Sequence, residues 1–241
     1  MNKIIKLFIL TLACTIHTTY PKQSLISKMY CSIFGNNDVR PEYKQKVHQA
    51  LKDLGVAQPL DVPVKQMNIV GPSFARYKLA SFTAFGIWLD EAYLNRCNEE
   101  EKMFHIYHEA SHYVQKHHQK NIAGCSGTLM LTLAGLLALK KALGSTNPLI
   151  KNVTVAGTTI LAIIGGCRYL LPYFVKRQEK QADLMAAKIL MSTEKEYIVD
   201  AHIEKLKMYM NPKPENDLWW PSKQAVIKYL EKLKELKPKK I

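Results

Sequence analysis

The sequence has few cysteines, and their spacing matches neither a thiolate metal site nor a disulfide framework. Its 241 residues contain five cysteines, none of which belongs to a CxxC pair. Thiolate metal sites and small disulfide-rich folds both depend on paired cysteines at characteristic spacings. We therefore expect neither kind of site in this chain.

Acidic residues are also scarce. The chain has 20 Asp and Glu against 34 Lys and Arg, which gives a formal net charge of +14. The positive charge is dispersed and has no aromatic or glycine-rich RNA-binding segment beside it, so we expect no nucleic-acid partner. Much of it flanks apolar segments or lies in the C-terminal tail, where it suits anionic lipid headgroups. For the tail, a solvated basic surface is an equally good interpretation.

Long apolar segments are confined to three places. Residues 1–20 have a basic start and a short apolar core, which predicts a signal peptide or an N-terminal membrane anchor. Residues 124–139 carry no charge, and as a helix they would span about 24 Å of a hydrocarbon core of about 30 Å. Residues 153–175 are long enough to span it but contain Arg168. We predict two membrane helices in 124–175, with membrane lipid as a partner; a buried helical hairpin is the alternative.

The segment between these apolar stretches, residues 21–123, predicts helices and a small sheet. Pro41 opens a helix that reaches Leu54. Short β-rich segments between 60 and 89 predict two or three strands. Asn98, followed three residues later by a glutamate, is typical of a capping box at the start of another helix.

The C-terminal segment, residues 176–241, predicts two more helices. One contains residues 178–190, and an amphipathic helix at about 222–236 closes the chain. A proline-containing loop separates them.

The motif that indicates chemistry is HExxH, formed by His108, Glu109 and His112. Histidines at i and i+4 project from one face of a helix, so both imidazoles can bind one metal ion. Glu109 is then placed to take a proton from the attacking water. A solvent-facing helix with two ordinary histidines is the alternative. Later in the same helix, His117 and His118 are expected to be exposed.

Glu179 and Asp183 are the candidates that complete this metal site. A catalytic zinc ion needs three protein ligands and one open position. Glu179 can be the third ligand, with one Zn²⁺ per chain, and Asp183 one turn later can accept the remaining N–H of a ligand histidine and so fix its tautomer. The alternative for this pair is an ordinary exposed acidic edge.

With the two motifs in this order, residues 80–230 resemble the HtpX-like heat-shock proteases and the CAAX prenyl proteases, which are membrane zinc endopeptidases of the gluzincin group. The resemblance implies an α+β gluzincin domain with a few-stranded sheet, an active-site helix and an inserted apolar helical hairpin. It also implies hydrolysis of protein or peptide substrates, in membrane-protein quality control. Residues 82–94 correspond to the edge strand to which substrate adds in this family.

Two features depart from the family pattern. The family usually has two membrane helices before the catalytic domain, whereas this chain has one short apolar segment. The family's His-Pro pair and following Arg are replaced by Trp220-Pro221 and Lys228. His202 is a candidate substitute that would stabilise the oxyanion.

Two other functions stay open. The missing His-Pro pair motivates a zinc-binding, weakly active membrane scaffold. The other is a basic membrane-surface protein that binds no metal, in which the HExxH pattern is a coincidence. Orientation in the membrane is also open. A cytosolic N-terminus and the lysines at 140, 141 and 151 favour a catalytic domain on the non-cytoplasmic side, but Lys116 and Lys176 favour the cytosol. We favour the non-cytoplasmic side.

Overall fold

The computed structural model describes residues 37–67, 81–83, 86–144, 171–209 and 220–236, with a few positions between 145 and 170. This part of the chain contains seven α-helices and three short strands. In chain order they are α1 (Pro41–Asp53), β1 (Val64–Gln66), β2 (Ser81–Thr83), β3 (Ile87–Leu89), α2 (Glu91–Leu94), α3 (Glu99–Val114), α4 (His117–Ala142), α5 (Leu171–Ser192), α6 (Glu196–Met208) and α7 (Lys223–Glu235).

Helix α1 confirms the prediction from its end signals. Pro41 occupies the first helical position, where its missing N–H would have no helical partner in any case. Gly55 follows the helix with φ +82°, a left-handed conformation that glycine adopts without a steric penalty. Tyr43, Val47 and Leu51 form the buried face. The helix is therefore bounded locally and oriented by its apolar stripe.

The sheet has three strands in the order β1-β3-β2, within the predicted range of two or three. β3 pairs in parallel with β1 and antiparallel with β2. A Cβ atom at Gly86 would lie 2.6 Å from the carbonyl oxygen of Pro63, so only glycine permits this close approach of the chains. The predicted edge strand in 82–94 is only partly correct. Its residues Ile87–Leu89 form the central strand, whereas Ser81–Thr83 form β2, one of the two edge strands of the described sheet.

Helix α6 is not among the helices predicted from the sequence, although it packs against both α3 and α7. Its buried residues are Ile198, Val199 and Ile203. Lys205 forms an ion pair with Glu101 of α3. Its N-cap residue is Lys195, which makes no side-chain capping hydrogen bond, so the usual N-cap residue is missing at this position.

The predicted apolar hairpin is described only in its first half. Residues 22–118 and 177–241 form one compact unit, and a second unit includes residues 119–176. Helix α4 contains the first apolar block, which is therefore helical. Most of the second block, and the predicted signal or anchor at 1–20, lie outside the described residues. Within the described ranges, no helix is both long and apolar enough to cross a membrane.

A polar cluster ties three segments together on the side of α3 that carries Tyr107. The hydroxyl of Tyr107 donates to the carboxylate of Asp53 in α1. Nζ of Lys195, just before α6, lies 3.0 Å from the same hydroxyl and 3.5 Å from Asp53. Tyr107 is fully buried, whereas the side chains of Lys195 and Asp53 are 31% and 13% exposed. The charged partners therefore reach the buried ring from the half-buried rim of the core.

Tyr107→Phe is expected to lower the free energy of unfolding by about 1–2 kcal/mol, because it removes a buried hydrogen bond to a charged group. Urea unfolding of the purified protein measures the change. Tyr197→Phe is the matched control, since the side chain of Tyr197 is 60% exposed, and it should leave the free energy unchanged. Equal losses in the two variants would contradict a stabilising role for the cluster.

Candidate metal centre

Helix α3 carries the HExxH motif and has a well-defined start. The side chain of Asn98 accepts a hydrogen bond from the backbone N–H of Glu101 at 2.8 Å, which confirms the predicted N-cap. Three glutamates in the first turn complement the positive end of the helix dipole. The apolar face of α3 (Phe104, Ile106, Tyr107 and Ala110) is buried, so this helix is held firmly in the core.

Helix α5 presents Glu179 and Asp183 to α3. The two carboxylates are one turn apart and therefore lie on the same face of the helix. Ala182, Ala186 and Ala187 are fully buried on α5. The two carboxylates reach the histidines of α3, with Asp183 at 2.7 Å from His108 and Glu179 at 3.3 and 3.5 Å from the two rings.

The structure brings His108, His112 and Glu179 together, with one potential ligand atom from each within 4.8 Å of the others. Nε2 of His108 lies 3.0 Å from Nε2 of His112. The Glu179 carboxylate lies 3.3 Å from Nε2 of His108 and 3.5 Å from Nε2 of His112. Tetrahedral zinc with bonds of about 2.0–2.1 Å requires ligand atoms about 3.3–3.4 Å apart. The donor set and its spacing fit a zinc ion.

Asp183 orients His108 by contacting the ring nitrogen that faces away from the other metal donors. Its Oδ1 atom lies 2.7 Å from Nδ1 of His108, so the imidazole N–H points at the carboxylate and Nε2 is directed toward the other donors. The second oxygen of Asp183 accepts a hydrogen bond from the hydroxyl of Tyr229 in α7. Burial and the charge of Asp183 raise the pKa of Tyr229, which therefore stays protonated and able to donate. One carboxylate thus connects α3, α5 and α7.

The charges at the centre favour a cation between the donors. Burial raises the pKa of Glu179, but the two histidines outweigh burial and hold that pKa well below its usual range. Burial lowers the pKa of His108, but Asp183 and Glu179 outweigh it and raise the pKa well above the usual value. Both directions mean that the carboxylates stabilise positive charge at His108, and they would stabilise a bound Zn²⁺ in the same way.

Glu109 lies on α3 between the two histidines and is half-buried. Its negative charge contributes to raising the pKa of His108, so its carboxylate lies within electrostatic range of the donor set. Its assignment as the catalytic base stays a prediction.

His202 and Lys228 occupy different surroundings. The ring of His202 stacks on Phe104 of α3 with centroids 3.8 Å apart. Burial lowers the pKa of His202 to about 4, so at neutral pH the ring is uncharged and can stabilise an oxyanion only as a hydrogen-bond donor. That role stays a prediction. Lys228 is exposed, and its neighbour Tyr229 is the residue of α7 that reaches the centre.

Two residues of the metal centre, His117 and Tyr229, are not among those predicted from the sequence. His117 was expected to be exposed, but it is buried and its Nδ1 atom lies 2.8 Å from Nδ1 of His112. Tyr229 carried no signal, since an aromatic residue on an amphipathic helix is more often part of the core. The contact of Tyr229 with Asp183 is found only in the tertiary structure, where α7 lies beside α5.

Glu179→Ala and Asp183→Asn should differ clearly in zinc content. Loss of Glu179 leaves two histidines, too few to hold zinc at micromolar protein, whereas Asp183→Asn keeps an acceptor for His108 and should weaken binding about 10- to 100-fold. Metal analysis after dialysis against a weak chelator measures both. Full zinc occupancy in the Glu179 variant would exclude this residue as the third ligand.

Comparison with known proteins places the chain in one family. The family model of peptidase family M48 matches residues 42–218, which cover most of α1 to α6 and all of the donor set. No curated protein and no solved structure matches the chain. Since the match covers well over half of the sequence and includes both motif-bearing helices, the chain belongs to peptidase family M48.

Proposed function

We propose that this protein is a zinc-dependent endopeptidase that binds one Zn²⁺ through His108, His112 and Glu179. The observation that carries the proposal is the convergence of these three donors from two helices at separations of 3.0 to 3.5 Å. Three protein ligands leave one tetrahedral position open for water or substrate, as hydrolytic zinc sites require. Membership of a peptidase family makes a peptide bond the substrate.

The chain's own residues divide the chemistry between them. Bound zinc would polarise the scissile carbonyl and acidify water. The Glu109 carboxylate takes the proton from the attacking water and later delivers it to the nitrogen of the leaving amine. Asp183 holds His108 with Nε2 toward the ion, and Tyr229 holds Asp183. His202 is the candidate donor to the oxyanion.

The substrate is proposed to bind as an extra strand beside β2. Within the described sheet, β2 lies at one edge and packs against α3, which carries the HExxH motif. An extended peptide that pairs with the edge of Ser81–Thr83 opposite β3 would run along this helix. Main-chain hydrogen bonds would then hold the scissile bond in an extended conformation without selecting a particular side chain.

We extend the proposal to the finer class implied by the resemblance, which is an HtpX-like or CAAX-type membrane endopeptidase with a role in quality control. Its support is the uncharged stretch 124–139, now located in α4, and the lysines that flank it. Membrane lipid would then be a partner, with the catalytic domain on the non-cytoplasmic side.

A weakly active zinc-binding scaffold is the second candidate function. The replacement of the family's His-Pro pair and Arg favours it, because Lys228 is exposed and the described C-terminal contact to the centre is the hydroxyl of Tyr229. Turnover decides between the two. A scaffold would hold stoichiometric zinc and hydrolyse unfolded protein no faster than the Glu109 variant described next.

Glu109→Gln is expected to reduce peptide hydrolysis by about 10²- to 10⁴-fold, the usual contribution of a positioned acid–base group. Zinc content should equal that of the wild type, because Glu109 is not a ligand. Cleavage of a casein-type unfolded substrate and metal analysis of the same preparation measure both quantities.

Glu100→Gln is the matched control, since it makes the same chemical change in the first turn of α3. It should leave turnover and zinc content unchanged. Loss of zinc in Glu109→Gln would show that Glu109 holds the metal and is not the base.

Association with lipid predicts that a variant lacking residues 1–20 still needs detergent to stay monodisperse, because 124–139 would otherwise be exposed to water. Size-exclusion chromatography with and without a mild detergent measures this. A stable monomer in detergent-free buffer at high salt would instead identify the apolar segment as a buried element.

A further inference from the structure

His117 lies directly behind His112 at the start of α4. Its side chain is buried, with 2% exposure. The Nδ1 atoms of the two histidines are 2.8 Å apart, and the rings meet edge to face, with centroids 4.8 Å apart and planes at 77°. The short distance between the Nδ1 atoms is that of a hydrogen bond, and the edge-to-face arrangement differs from a stacking contact.

The contact uses the nitrogen of His112 that does not face the metal donors. Nε2 of His112 lies 3.0 Å from His108 and 3.5 Å from Glu179, whereas Nδ1 faces His117. Because the two ring nitrogens point in different directions, His117 is not placed to bind an ion held at Nε2. It is placed to act on the ligand.

The tautomer follows from the demands of the metal. A neutral imidazole carries one N–H, and a histidine that binds zinc through Nε2 keeps this proton on Nδ1. The Nδ1–H of His112 then donates to Nδ1 of His117. We propose that His117 is a positioning residue that fixes the tautomer and ring orientation of His112, as Asp183 does for His108. The proposal rests on the proposed zinc-dependent function.

The backbone between the two histidines is arranged for this contact. Residues at i and i+5 of a continuous α-helix lie on different faces, because successive residues are turned by about 100°. Here α3 ends at Val114, Lys116 adopts a left-handed conformation with φ 55°, and α4 begins at His117. A non-glycine residue in this region costs about 1 kcal/mol. The break in the helix is what turns His117 toward His112.

An imidazole acceptor also suits the charge of the centre. The carboxylates of Glu179 and Asp183 already balance the two positive charges of Zn²⁺. A second carboxylate behind His112 would add negative charge and raise ligand basicity further, which weakens the ability of the metal to acidify water. A neutral imidazole fixes the ring without adding charge.

Two substitutions separate the hydrogen bond from packing. His117→Asn keeps an acceptor, because the amide oxygen occupies nearly the position of Nδ1. His117→Leu is similar in size to asparagine and has no acceptor. Zinc affinity is measured by competition with a chromophoric chelator. The absorption spectrum of the Co²⁺-substituted protein reports ligand geometry, and the Tm of the metal-free protein reports folding.

His117→Leu is expected to weaken zinc binding about 10- to 100-fold and to change the Co²⁺ spectrum, whereas His117→Asn should stay within about threefold of the wild type. His118→Leu, which removes the neighbouring imidazole, is the control and should bind as the wild type does. Wild-type affinity in His117→Leu would overturn the proposal. Equal weakening in the leucine and asparagine variants would also overturn it, because packing alone would then explain the loss.

The NMR spectrum of the zinc-loaded wild type tests the tautomer without any substitution at this position. Nitrogen-15 spectra of the histidine rings should show a proton on Nδ1 of His112 that is protected from solvent exchange. A His112 that binds zinc through Nδ1 would overturn the proposal even if His117→Leu does not fold. If the wild type binds no zinc at micromolar concentration, the proposed function fails, and this outcome is distinct from both results above.

Discussion

The arrangement of the metal donors depends on one carboxylate, that of Asp183, which connects helices α3, α5 and α7. One of its oxygens holds Nδ1 of His108, and the other accepts the hydroxyl of Tyr229. Asp183 lies one turn from Glu179 on α5. The same helix therefore orients His108 through Asp183 and supplies the third metal donor, Glu179. A shift of α5 would move both at once. The position of the metal donors is therefore set by helix packing, and the helices pack through a core of aromatic, aliphatic and alanine side chains.

Burial makes this arrangement effective for chemistry. The side chains of His108, His112 and Asp183 are 13%, 11% and 10% exposed. In such surroundings electrostatic interactions are stronger than in water. The carboxylates consequently raise the pKa of His108, and the histidines lower the pKa of Glu179. A divalent cation bound between these side chains would be stabilised by the same carboxylate charges.

The side of α3 that carries Tyr107 is secured by a different set of interactions. Tyr107, adjacent to His108 in the chain, is anchored to Asp53 and Lys195. Asn98 caps the start of α3, and Lys116 ends it with a left-handed residue. The helix that carries the catalytic motif is thus restrained at its start, on the Tyr107 side and at its end. Such restraint is what a preorganised hydrolytic site requires.

Features that depend on short-range periodicity could be predicted from the sequence. The helical bounds of α1 followed from Pro41 and Gly55, and the cap of α3 from Asn98. The i, i+4 spacing of His108 and His112 placed both rings on one face, because the helix repeat converts sequence spacing directly into direction. The same rule placed Glu179 and Asp183 on one face of α5. Their role as partners of these histidines was inferred from the ligand count that zinc needs.

Features that depend on long-range packing or on a break in regular structure were decided by the tertiary structure alone. The contact of His117 with His112 requires a left-handed Lys116, and a lysine gives no signal for that conformation. Tyr229 lies 46 residues from Asp183, and only the docking of α7 brings them together. The order of the strands made β3 central and β2 an edge strand of the described sheet, because strand pairing depends on the whole fold. Local sequence sets which way a side chain points from its own helix, and only packing decides what it meets there.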